Sequence, residues 1–478
     1  MPSIFHRWWP LALLALAAFW LRTHDLARRP MHADEANQAV KLGELLETGR
    51  YAFDPRDHHG PTLYYAALPV AWLRGQRTLA ALDETTVRLV PAIAGTLGVL
   101  LLAALAAPFG RWPALAAATF MAVSPPAVYY SRYFVQETLL VTFTLAALVC
   151  AQRWWRTGRA SWAAAAGACA GLMQATKVSA PLFALAALVA LIAARARLPA
   201  SSRVGRDTLL ALATALAVAA IFYSSFGLHL AGLRDALTAY GDAWARASGD
   251  TGHEKPWWYY LRLFTWQRSG GLGFEQLAFS VLAVAGTIVA FRSGKRLLRW
   301  AAFYTAIIAV VLALIPYKTP WHAVHLVPGL ALLAAGALAA LPSWRLAAAL
   351  GAAVLALQIY ETNLVAFTHP ADERNPYAYV HSSPDVLKFR PLAEAALARS
   401  PAAPVRVISE EYWPLPWYLR GLPRVGYWST PTATCDGALV IVSAGQAGAV
   451  RARLHGAYRE SFLGLRPGFV CVVFTPSP

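Results

Sequence analysis

The sequence predicts a polytopic α-helical membrane protein with a small α/β domain at its C-terminal end. Of its 478 residues, 58% are hydrophobic and only 14% are charged, whereas soluble domains carry about 25% charged residues. Apolar runs approach the length of about 20 residues that spans a bilayer, and they recur through residues 1–365. Residues 366–478 lack such runs. Lipid is therefore the main solvent of the first part of the chain.

Eleven apolar runs are predicted to be transmembrane helices, and they form a domain of residues 1–365. The runs cover residues 8–22, 87–107, 112–128, 138–152, 161–176, 178–194, 208–226, 276–291, 300–315, 322–341 and 345–365. The first run could instead be a cleaved signal peptide, since it has a basic start and a triplet of small residues at 15–17. Its apolar core continues to Trp20, which favours an uncleaved anchor.

Charge between the apolar runs predicts the orientation in the membrane. The net charge is +17, and Lys and Arg fall in short patches such as residues 153–159, 195–206 and 292–299. Such patches are typical of cytoplasmic loops, whereas a nucleic-acid-binding protein gathers basic residues on a soluble face. With the N-terminus inside, Asp207 is the only one of 25 Asp and Glu residues in a predicted cytoplasmic loop. We therefore predict a plasma (inner) membrane protein with no nucleic-acid partner.

Four segments are predicted on the outer face of the membrane. Three are loops of residues 23–86, 129–137 and 227–275, and the fourth is the extracytoplasmic domain of residues 366–478. This domain alternates strand-like and helix-like runs, which is typical of a small α/β fold. The strand-like runs are Val405–Ser409, Ala438–Ser443 and Val470–Phe474, and the helix-like runs are Pro384–Ala398 and Gln446–His455.

The four cysteines are not spaced as zinc ligands. Cys150 and Cys169 lie in apolar runs, where packing is their expected role. Cys435 and Cys471 lie in the C-terminal domain and could form a disulfide if that domain faces an oxidising space. The sequence leaves this pairing open.

The first outer loop holds the densest polar cluster, His-Ala-Asp-Glu at residues 32–35, followed by an amphipathic stretch over residues 36–47. Two interpretations of Asp34 stay open. It could be the N-cap of a helix, where its carboxylate would accept backbone N–H bonds. It could also be a general base at the outer membrane interface, and one residue can serve both roles.

Two adjacent histidines, His58 and His59, follow in the same loop beside acidic residues. They could bind a metal or a hydroxyl-rich substrate, or they could belong to an ordinary polar loop. Adjacent histidines without a second spaced ligand pair are a weak metal signal. A divalent metal is therefore compatible with the sequence but not indicated by it. Its candidate ligands are His32, Asp34, His58, His59 and Glu137.

Four more ionisable residues lie at the predicted outer membrane boundary. Glu137 opens an apolar run and could be a helix-start acid or a second carboxylate that faces Asp34. Arg132 could pair with Glu137 or hold an anionic group. Lys177 and Lys318 end apolar runs on the outer side, against the trend that places basic residues inside. They could snorkel to the headgroups or capture a lipid phosphate, a task suited to a lysine charge.

These motifs resemble the GT-C glycosyltransferase superfamily, in its branch of protein O-mannosyltransferases and aminoarabinose transferases of lipid A. The motifs are His-Ala-Asp-Glu at residues 32–35, His-His-Gly-Pro-Thr-Leu-Tyr-Tyr at 58–65, Tyr-Ser-Arg-Tyr at 130–133 and Ala-Thr-Lys at 175–177. Residues 377–384 and 413–420 resemble a narrower group, the flippase-activity-associated Agl-type membrane proteins. The resemblance runs through nearly the whole chain.

The resemblance implies a GT-C fold and transfer of a sugar from a polyprenyl-phosphate donor to an acceptor on the outer face. The acceptor would be a lipid, a glycan or a protein. It implies that Asp34 is the catalytic carboxylate and that Glu137 is a second acid of the site. It assigns phosphate binding to Lys177 and Lys318.

One departure from the family pattern changes the predicted phosphate contacts. Related transferases often carry Glu-Lys-Pro where this chain has His-His-Gly-Pro at residues 58–61. The departure removes a cation and leaves phosphate binding to Lys177, Lys318 or Arg132. Glu35, His58 and His59 complete the predicted set of substrate-binding residues.

The chemistry expected from this layout is a single displacement that inverts the anomeric carbon. Asp34 would take the proton of the acceptor, and the lysines would stabilise the departing phosphate. A rival interpretation is a transporter or flippase component, which would carry ionisable residues near the bilayer midplane. The predicted spans hold almost none, which favours the enzyme. A non-catalytic assembly partner of a glycan pathway also stays open.

Overall fold

A computed structural model describes residues 5–56, 59–195, 203–248 and 252–477. Within these residues the chain forms nineteen α-helices and seven β-strands. The first ten helices are α1 (Phe5–Thr23), α2 (Ala33–Thr48), α3 (Thr62–Leu73), α4 (Glu84–Ala106), α5 (Arg111–Val123), α6 (Pro125–Tyr130), α7 (Glu137–Thr157), α8 (Ala160–Gln174), α9 (Ala180–Ala193) and α10 (Val204–Tyr223). The others are α11 (Ala231–Ser248), α12 (Tyr259–Leu263), α13 (Leu277–Ser293), α14 (Arg296–Leu314), α15 (Val327–Leu338), α16 (Trp344–Asn363), α17 (Phe389–Arg399), α18 (Leu415–Tyr418) and α19 (Ala447–Arg451).

Each of the eleven predicted apolar runs coincides with a helix, so the helical membrane part of the fold is confirmed. These helices are α1, α4, α5, α7, α8, α9, α10, α13, α14, α15 and α16. Six helical stretches of the described chain are long and apolar enough to cross a membrane, namely 84–109, 137–157, 204–223, 296–314, 320–338 and 344–368. The other apolar helices are shorter, so the number of eleven crossings stays a prediction.

Proline divides one predicted apolar run into two helices. The run of residues 112–128 is one segment in the sequence, but α5 ends at Val123 and α6 begins at Pro125. Pro125 and Pro126 have no N–H to donate to the preceding turn, and a proline disfavours helical geometry in the residue before it. Ser124 is accordingly extended, with a ψ of 126°. After this break, α6 and a short loop lead to Glu137 at the start of α7.

Close helix packing in the membrane part uses small residues. Gly286 in α13 lies against the backbone of α15, where an added Cβ would be 1.8 Å from the carbonyl oxygen of Leu333. Small residues allow such approach between helices in lipid, where van der Waals contact replaces the hydrophobic effect as the source of association.

Helix α2 begins at a capping box formed by His32 and Glu35. The N-cap is His32, whose Nδ1 accepts a hydrogen bond of 3.0 Å from the Asp34 N–H. The Glu35 carboxylate in turn accepts from the His32 N–H at 3.1 Å, which completes the reciprocal pair. The interpretation of Asp34 as the N-cap is therefore wrong. Because its carboxylate is not used as a cap, it is available for another role.

The C-terminal domain contains a five-stranded mixed sheet. The seven strands are β1 (Trp266–Ser269), β2 (Leu272–Glu275), β3 (Val405–Ile408), β4 (Val425–Trp428), β5 (Leu439–Ser443), β6 (Tyr458–Arg466) and β7 (Phe469–Pro476). The sheet has the order β4-β3-β5-β7-β6, with β3 parallel to β4 and β5 and β7 antiparallel to β5 and β6. The three predicted strands are β3, β5 and β7. Strands β4 and β6 were not predicted. All four residues of β4 are partly exposed, and most residues of β6 are partly or fully exposed.

The C-terminal domain packs onto the loop of residues 23–86. Buried side chains of α2 and α3 share one apolar core with α17, α18 and the sheet. The Met31 N–H donates a 2.8 Å hydrogen bond to the Tyr418 hydroxyl, and the Trp417 indole donates to Glu84 at 2.7 Å. All four cysteines are free, so Cys435 and Cys471 are not paired.

Candidate active site

A cavity of about 180 Å³ lies between the loop of residues 23–86, the start of α9 and the ends of α11 and α14. Its polar lining residues are Asp34, His59, Lys177, Ser179, Arg246, Tyr317, Trp321 and His322. Its apolar lining comes from three helices and comprises Val178, Leu182, Phe183, Ala243, Ala247, Ile308, Val311, Leu312 and Ile315. One cavity therefore combines the carboxylate of Asp34, the basic side chains of Lys177 and Arg246, and an apolar wall.

Asp34 lies in the first turn of α2, and 52% of its side chain is exposed. His32 Nδ1 lies 3.9 Å from Asp34 Oδ2. Since His32 Nδ1 accepts from the Asp34 amide, the ring proton is assigned to Nε2, which donates to the Tyr379 carbonyl at 3.0 Å. The histidine is thus held at both nitrogens, and it fixes the backbone from which the carboxylate projects.

The loop that contains His59 is joined to the segment that contains Lys177. The Gly60 N–H donates to the Thr176 carbonyl at 3.1 Å, and the Thr62 N–H donates to the Ala175 carbonyl at 3.2 Å. The hydroxyls of Thr62 and Thr176 are 2.7 Å apart. Only glycine fits at position 60, because an added Cβ would be 2.2 Å from the Ala175 carbonyl oxygen. Two motifs far apart in the sequence thereby meet at one wall.

Lys177 reaches the cavity from between α8 and α9. Its Nζ donates a short hydrogen bond to the carboxylate of Glu137 and lies 3.3 Å from His322 Nε2. Glu137 itself is only 2% exposed and is not among the lining residues. The structure therefore places Glu137 behind Lys177, where it holds the ammonium group in position.

The two predicted catalytic acids lie on the same side of the protein. Tyr317 lies near both acids. Burial raises the pKa of its phenol most, and the charges of Asp34, Tyr379 and Glu137 raise it further, to about 12. Asp34 reaches the cavity directly, and Glu137 reaches it through Lys177. The pair therefore borders one site, with unequal access to it.

Sequence reasoning did not single out five polar lining residues of the cavity, namely Ser179, Arg246, Tyr317, Trp321 and His322. His322 contacts Lys177, and its Nδ1 lies 3.2 Å from the Tyr260 hydroxyl. Arg246 on α11 lines the cavity and forms no hydrogen bond or ion pair within the described part of the chain. The sequence does contain a signal for Arg246. On the amphipathic helix α11 it shares one face with the small residues Ala239, Ala243 and Ala247, and it is the only cation on that face.

Three predicted substrate-binding residues have internal partners instead of cavity positions. The Arg132 guanidinium donates to carbonyls that follow α1, at 2.5 Å to His24 and 3.2 Å to Asp25. The Lys318 ammonium donates to the Ile315 carbonyl, and this lysine is 1% exposed. Their charge satisfies the ends of helices, so neither is placed to meet a phosphate.

Glu35 is the third of these residues, and it is completely buried. Its carboxylate accepts from Arg88 at 2.9 Å, from Arg29 at 3.1 Å and from the Phe134 N–H at 3.0 Å. Burial alone would raise the pKa of Glu35, but Arg88 and Arg29 outweigh it and hold that pKa well below its usual range. Glu35 therefore joins α2 to α4 and to the second outer loop.

The candidate metal ligands do not converge. No group of three or more His, Cys, Asp or Glu side chains with ligand geometry occurs in the described ranges. His32 uses both ring nitrogens in other hydrogen bonds, and the Glu137 carboxylate accepts from Lys177, which leaves Asp34 and His59 among the described candidates. His58 lies outside the described residues.

The apolar wall leads from the polar end of the cavity to the lipid-facing surface. Leu182 on α9 lines the cavity and is also 40% exposed, and Leu185 and Leu188 continue the exposed stripe along the same helix. Ile308 and Leu312 on α14 form the opposite side of this wall. The arrangement can accommodate a ligand with a polar head and a hydrocarbon tail.

Comparison with known families agrees with the motifs. Residues 67–229 match the sequence profile of a family described as dolichyl-phosphate-mannose-protein mannosyltransferase. A sequence search of curated proteins finds no significant match.

Solved structures show the same fold over the whole chain. ArnT from Cupriavidus metallidurans bound to undecaprenyl phosphate superposes with a TM-score of 0.71 at 16% identity, covering 97% of this chain and 97% of ArnT. The Archaeoglobus fulgidus oligosaccharyltransferase AglB, in complex with dolichol-phosphate, has a TM-score of 0.56 at 14% identity, covering 96% of this chain and 73% of AglB. The mycobacterial arabinofuranosyltransferase AftD has a TM-score of 0.52 at 14% identity, covering 99% of this chain and 40% of AftD. The profile match over residues 67–229 and the shared fold agree with the resemblance that the motifs predicted.

Proposed function

We propose that this GT-C-type membrane protein transfers a glycosyl group from a polyprenyl-phosphate donor to an acceptor on the outer face of the plasma membrane. The observation that carries the proposal is the shared cavity, in which Asp34 and Lys177 face one space with an apolar wall. The class of donor is supported by two structures of the same fold that contain undecaprenyl phosphate and dolichol-phosphate.

The donor is placed with its phosphate at the cationic side of the cavity and its tail along α9 and α14. Lys177 and Arg246 supply positive charge for the departing phosphate, and charge that develops in the transition state is stabilised best by groups already in position. His59 lies beside them. The lipid tail would lie against Leu182 and Leu312, where the cavity meets the exposed apolar surface.

The reaction proposed is a single displacement at the anomeric carbon. An acceptor oxygen forms a bond to that carbon while the bond from carbon to phosphate oxygen breaks, and the electron pair leaves with the phosphate. Asp34 takes the proton of the acceptor. Because the nucleophile and the leaving group occupy opposite faces of the carbon, the product has the inverted configuration.

Glu137 is proposed as a positioning residue for Lys177. The Lys177 ammonium donates a short hydrogen bond to the Glu137 carboxylate, and this contact holds the ammonium at the cavity wall. His322 contacts the same ammonium. This role replaces direct catalysis by Glu137, because the acid is buried behind the lysine.

The proposed activity can be tested with the purified full-length protein in liposomes. Polyprenyl phosphates that carry a panel of pentosyl and hexosyl groups would be supplied as donors, and release of free polyprenyl phosphate would be measured. Transfer to membrane-derived acceptors would support the proposal. If no donor of the panel is consumed, while surface glycans of a deletion strain are unchanged by mass spectrometry, the proposed function is wrong.

Replacing Arg246 is expected to weaken donor binding. The Arg246→Met variant should raise the KM for the donor by about 10- to 100-fold, the effect of losing one or two hydrogen bonds to a charged group. The matched control is Arg234→Met, on an exposed position of the same helix. Steady-state kinetics with varied donor would measure both. Equal KM values in the two variants would show that Arg246 does not contact the donor.

The proposed orientation makes a separate prediction. The N-terminus is proposed to be cytoplasmic and residues 366–478 to be extracytoplasmic, because the basic patches lie at the opposite helix ends from the cavity. A reporter enzyme that folds only outside the cytoplasm should be active when fused to the C-terminal end and inactive at the N-terminus. The reverse pattern would contradict the proposed topology.

A further inference from the structure

Helix α11 runs across one end of the helical bundle. Its first turn touches the end of α10, since an added Cβ at Gly232 would be 2.0 Å from the Tyr223 carbonyl oxygen. In its middle, the Tyr240 hydroxyl donates a 2.9 Å hydrogen bond to Gln174 Oε1 at the end of α8. In its last turn, Arg246 lines the cavity between α9 and α14. The 18 residues of α11, about 27 Å of helix, therefore extend from α10 past α8 to the cavity.

The helix ends that α11 crosses lie at one boundary of the bundle. Residues 175–179 join the end of α8 to the start of α9. The Tyr223 hydroxyl donates to the Gln174 carbonyl at 2.9 Å, which places the end of α10 beside the end of α8. Lys177 and Tyr317, which follow α8 and α14, line the same cavity. Helix α11 thus lies along the boundary at which these membrane helices end.

The side chains of α11 form three faces at helical spacing. One face holds Leu233, Leu237, Tyr240 and Trp244, a second holds Ala236, Ala239, Ala243 and Ala247, and a third holds Asp235, Thr238 and Asp242. We call the first face the apolar stripe. The alanine face packs on the protein, because Ala239 is buried and Ala243 and Ala247 line the cavity. A helix between protein and water needs one apolar face, so a second apolar face indicates another apolar surrounding.

The apolar stripe is exposed in the described part of the chain. Leu237 and Trp244 are each 74% exposed, and Leu233 and Tyr240 are 39% and 42% exposed. Helix α2, the other amphipathic helix at the cavity, differs in this respect, because Leu42 and the rest of its apolar face are buried. An exposed row of large apolar side chains marks an interaction surface.

We propose that α11 is an interfacial helix whose apolar stripe inserts into the bilayer leaflet on the cavity side. The stripe continues the lipid-facing surface of the bundle, because Ile221 of α10 and Phe226 and Leu230 in the connection to α11 are also exposed. Tyr and Trp are the residues enriched where a bilayer meets water, and the stripe contains one of each. The aspartate face then points to water.

The charges of α11 favour insertion by apolar burial over attraction to anionic lipid. Its two arginines, Arg234 and Arg246, are balanced by Asp235 and Asp242. Interfacial helices that depend on anionic lipid carry Lys and Arg on the polar face, whereas two aspartates occupy that face here. The area of the stripe is therefore the source of the membrane contact.

The contact has a consequence for the cavity, and this step alone rests on the proposed function. The alanine face and Arg246 form one side of the cavity, so the leaflet that holds the stripe also holds this side in place. The position of α11 in the leaflet would set how closely Arg246 approaches the phosphate of the donor.

Spin labels test the membrane contact in the full-length protein in phosphatidylcholine nanodiscs. The four native cysteines are replaced by alanine, and a nitroxide is attached to Leu233→Cys, Leu237→Cys or Trp244→Cys, with Thr238→Cys on the aspartate face as the control. Oxygen concentrates in lipid, and a nickel chelate stays in water. The ratio of oxygen to nickel accessibility should be higher at the three stripe positions than at Thr238→Cys.

Two results would overturn the membrane contact. Nickel accessibility at the stripe equal to that at Thr238→Cys would place the stripe in water. Stripe labels shielded from both reagents would show that a protein or a second copy of this chain covers the stripe. The measurement needs no donor, so it decides on the contact even if the protein transfers no sugar.

Lipid composition separates apolar burial from charge. Addition of phosphatidylglycerol to the nanodiscs should leave the accessibility ratios of the stripe labels unchanged. A high ratio that appears only with anionic lipid would overturn insertion by apolar burial.

The link to the cavity is tested by a charge in the stripe. Leu237→Asp should raise the KM for the donor by about three- to fivefold, because a carboxylate near the membrane interface disfavours the inserted helix. The matched control Thr238→Asp places the same charge on the water-facing side and should keep the wild-type KM. Equal KM values in the two variants would overturn the link between the membrane contact and Arg246.

Discussion

The Asp34→Asn variant is expected to lose sugar transfer by about 100- to 10,000-fold, the usual contribution of a general base. The amide cannot accept the proton of the acceptor, whereas the side chain keeps its size and its place in the first turn of α2. Transfer would be measured as the rate of polyprenyl phosphate release at saturating donor. Glu44→Gln, an exposed position on the same helix, is the matched control and should retain full activity.

The same variant is expected to fold normally. The Asp34 carboxylate is half exposed, and its Oδ2 lies 3.9 Å from His32 Nδ1. An acid in the first turn of a helix contributes about 0.3–1 kcal/mol, so the thermal unfolding midpoint should change little. Transfer close to the wild-type rate in folded Asp34→Asn would exclude Asp34 as the base and remove the central step of the proposed mechanism.

The adjacent substitution Glu35→Gln is expected to act on stability instead. It removes the counter-charge of Arg29 and Arg88, both buried, and breaking a buried ion pair on one side costs about 3–5 kcal/mol. The free energy of unfolding would be compared with that of Asp34→Asn, which changes the neighbouring residue at an exposed position. Equal stability of the two variants would contradict the structural role of Glu35.

The pH dependence of stability gives a second measurement of Glu35. Its pKa is lower in the folded protein than in the unfolded chain, because Arg88 and Arg29 favour the charged form. The stabilisation is therefore complete above the unfolded value of about 4.3 and is lost as the pH falls from there toward the folded pKa. Glu35→Gln should lack this part of the acid destabilisation.

Local features of the sequence were enough to predict the membrane helices and the polar cluster of the first loop. Apolar runs and their lengths depend only on nearby residues, and a helix in lipid satisfies its own backbone hydrogen bonds. The parallel strands β3 and β5 were predicted for a related reason, since they are buried and almost continuously apolar. The edge strands β4 and β6 are partly exposed, so the same signal was weak in them.

The candidate site was predicted only in part. Asp34, His59 and Lys177 line one cavity, whereas Arg132 and Lys318 satisfy backbone carbonyls. Each of these two cations stands near the predicted membrane boundary, and residue type does not reveal which acceptor it will meet. Arg246 was missed because the segments that bring α11 to the cavity are far from Asp34 in the sequence.

The sequence by itself determined that the chain is a membrane protein with acids and lysines at one end of its helices, because composition and periodicity are local properties. Only the tertiary structure shows that Asp34 and Glu35 have different surroundings. Successive residues of an α-helix point about 100° apart, so Glu35 turns to Arg29 and Arg88 in the interior while Asp34 faces the cavity. The interior arginines that make this distinction belong to the loop before α2 and to α4, and only folding brings them to the carboxylate.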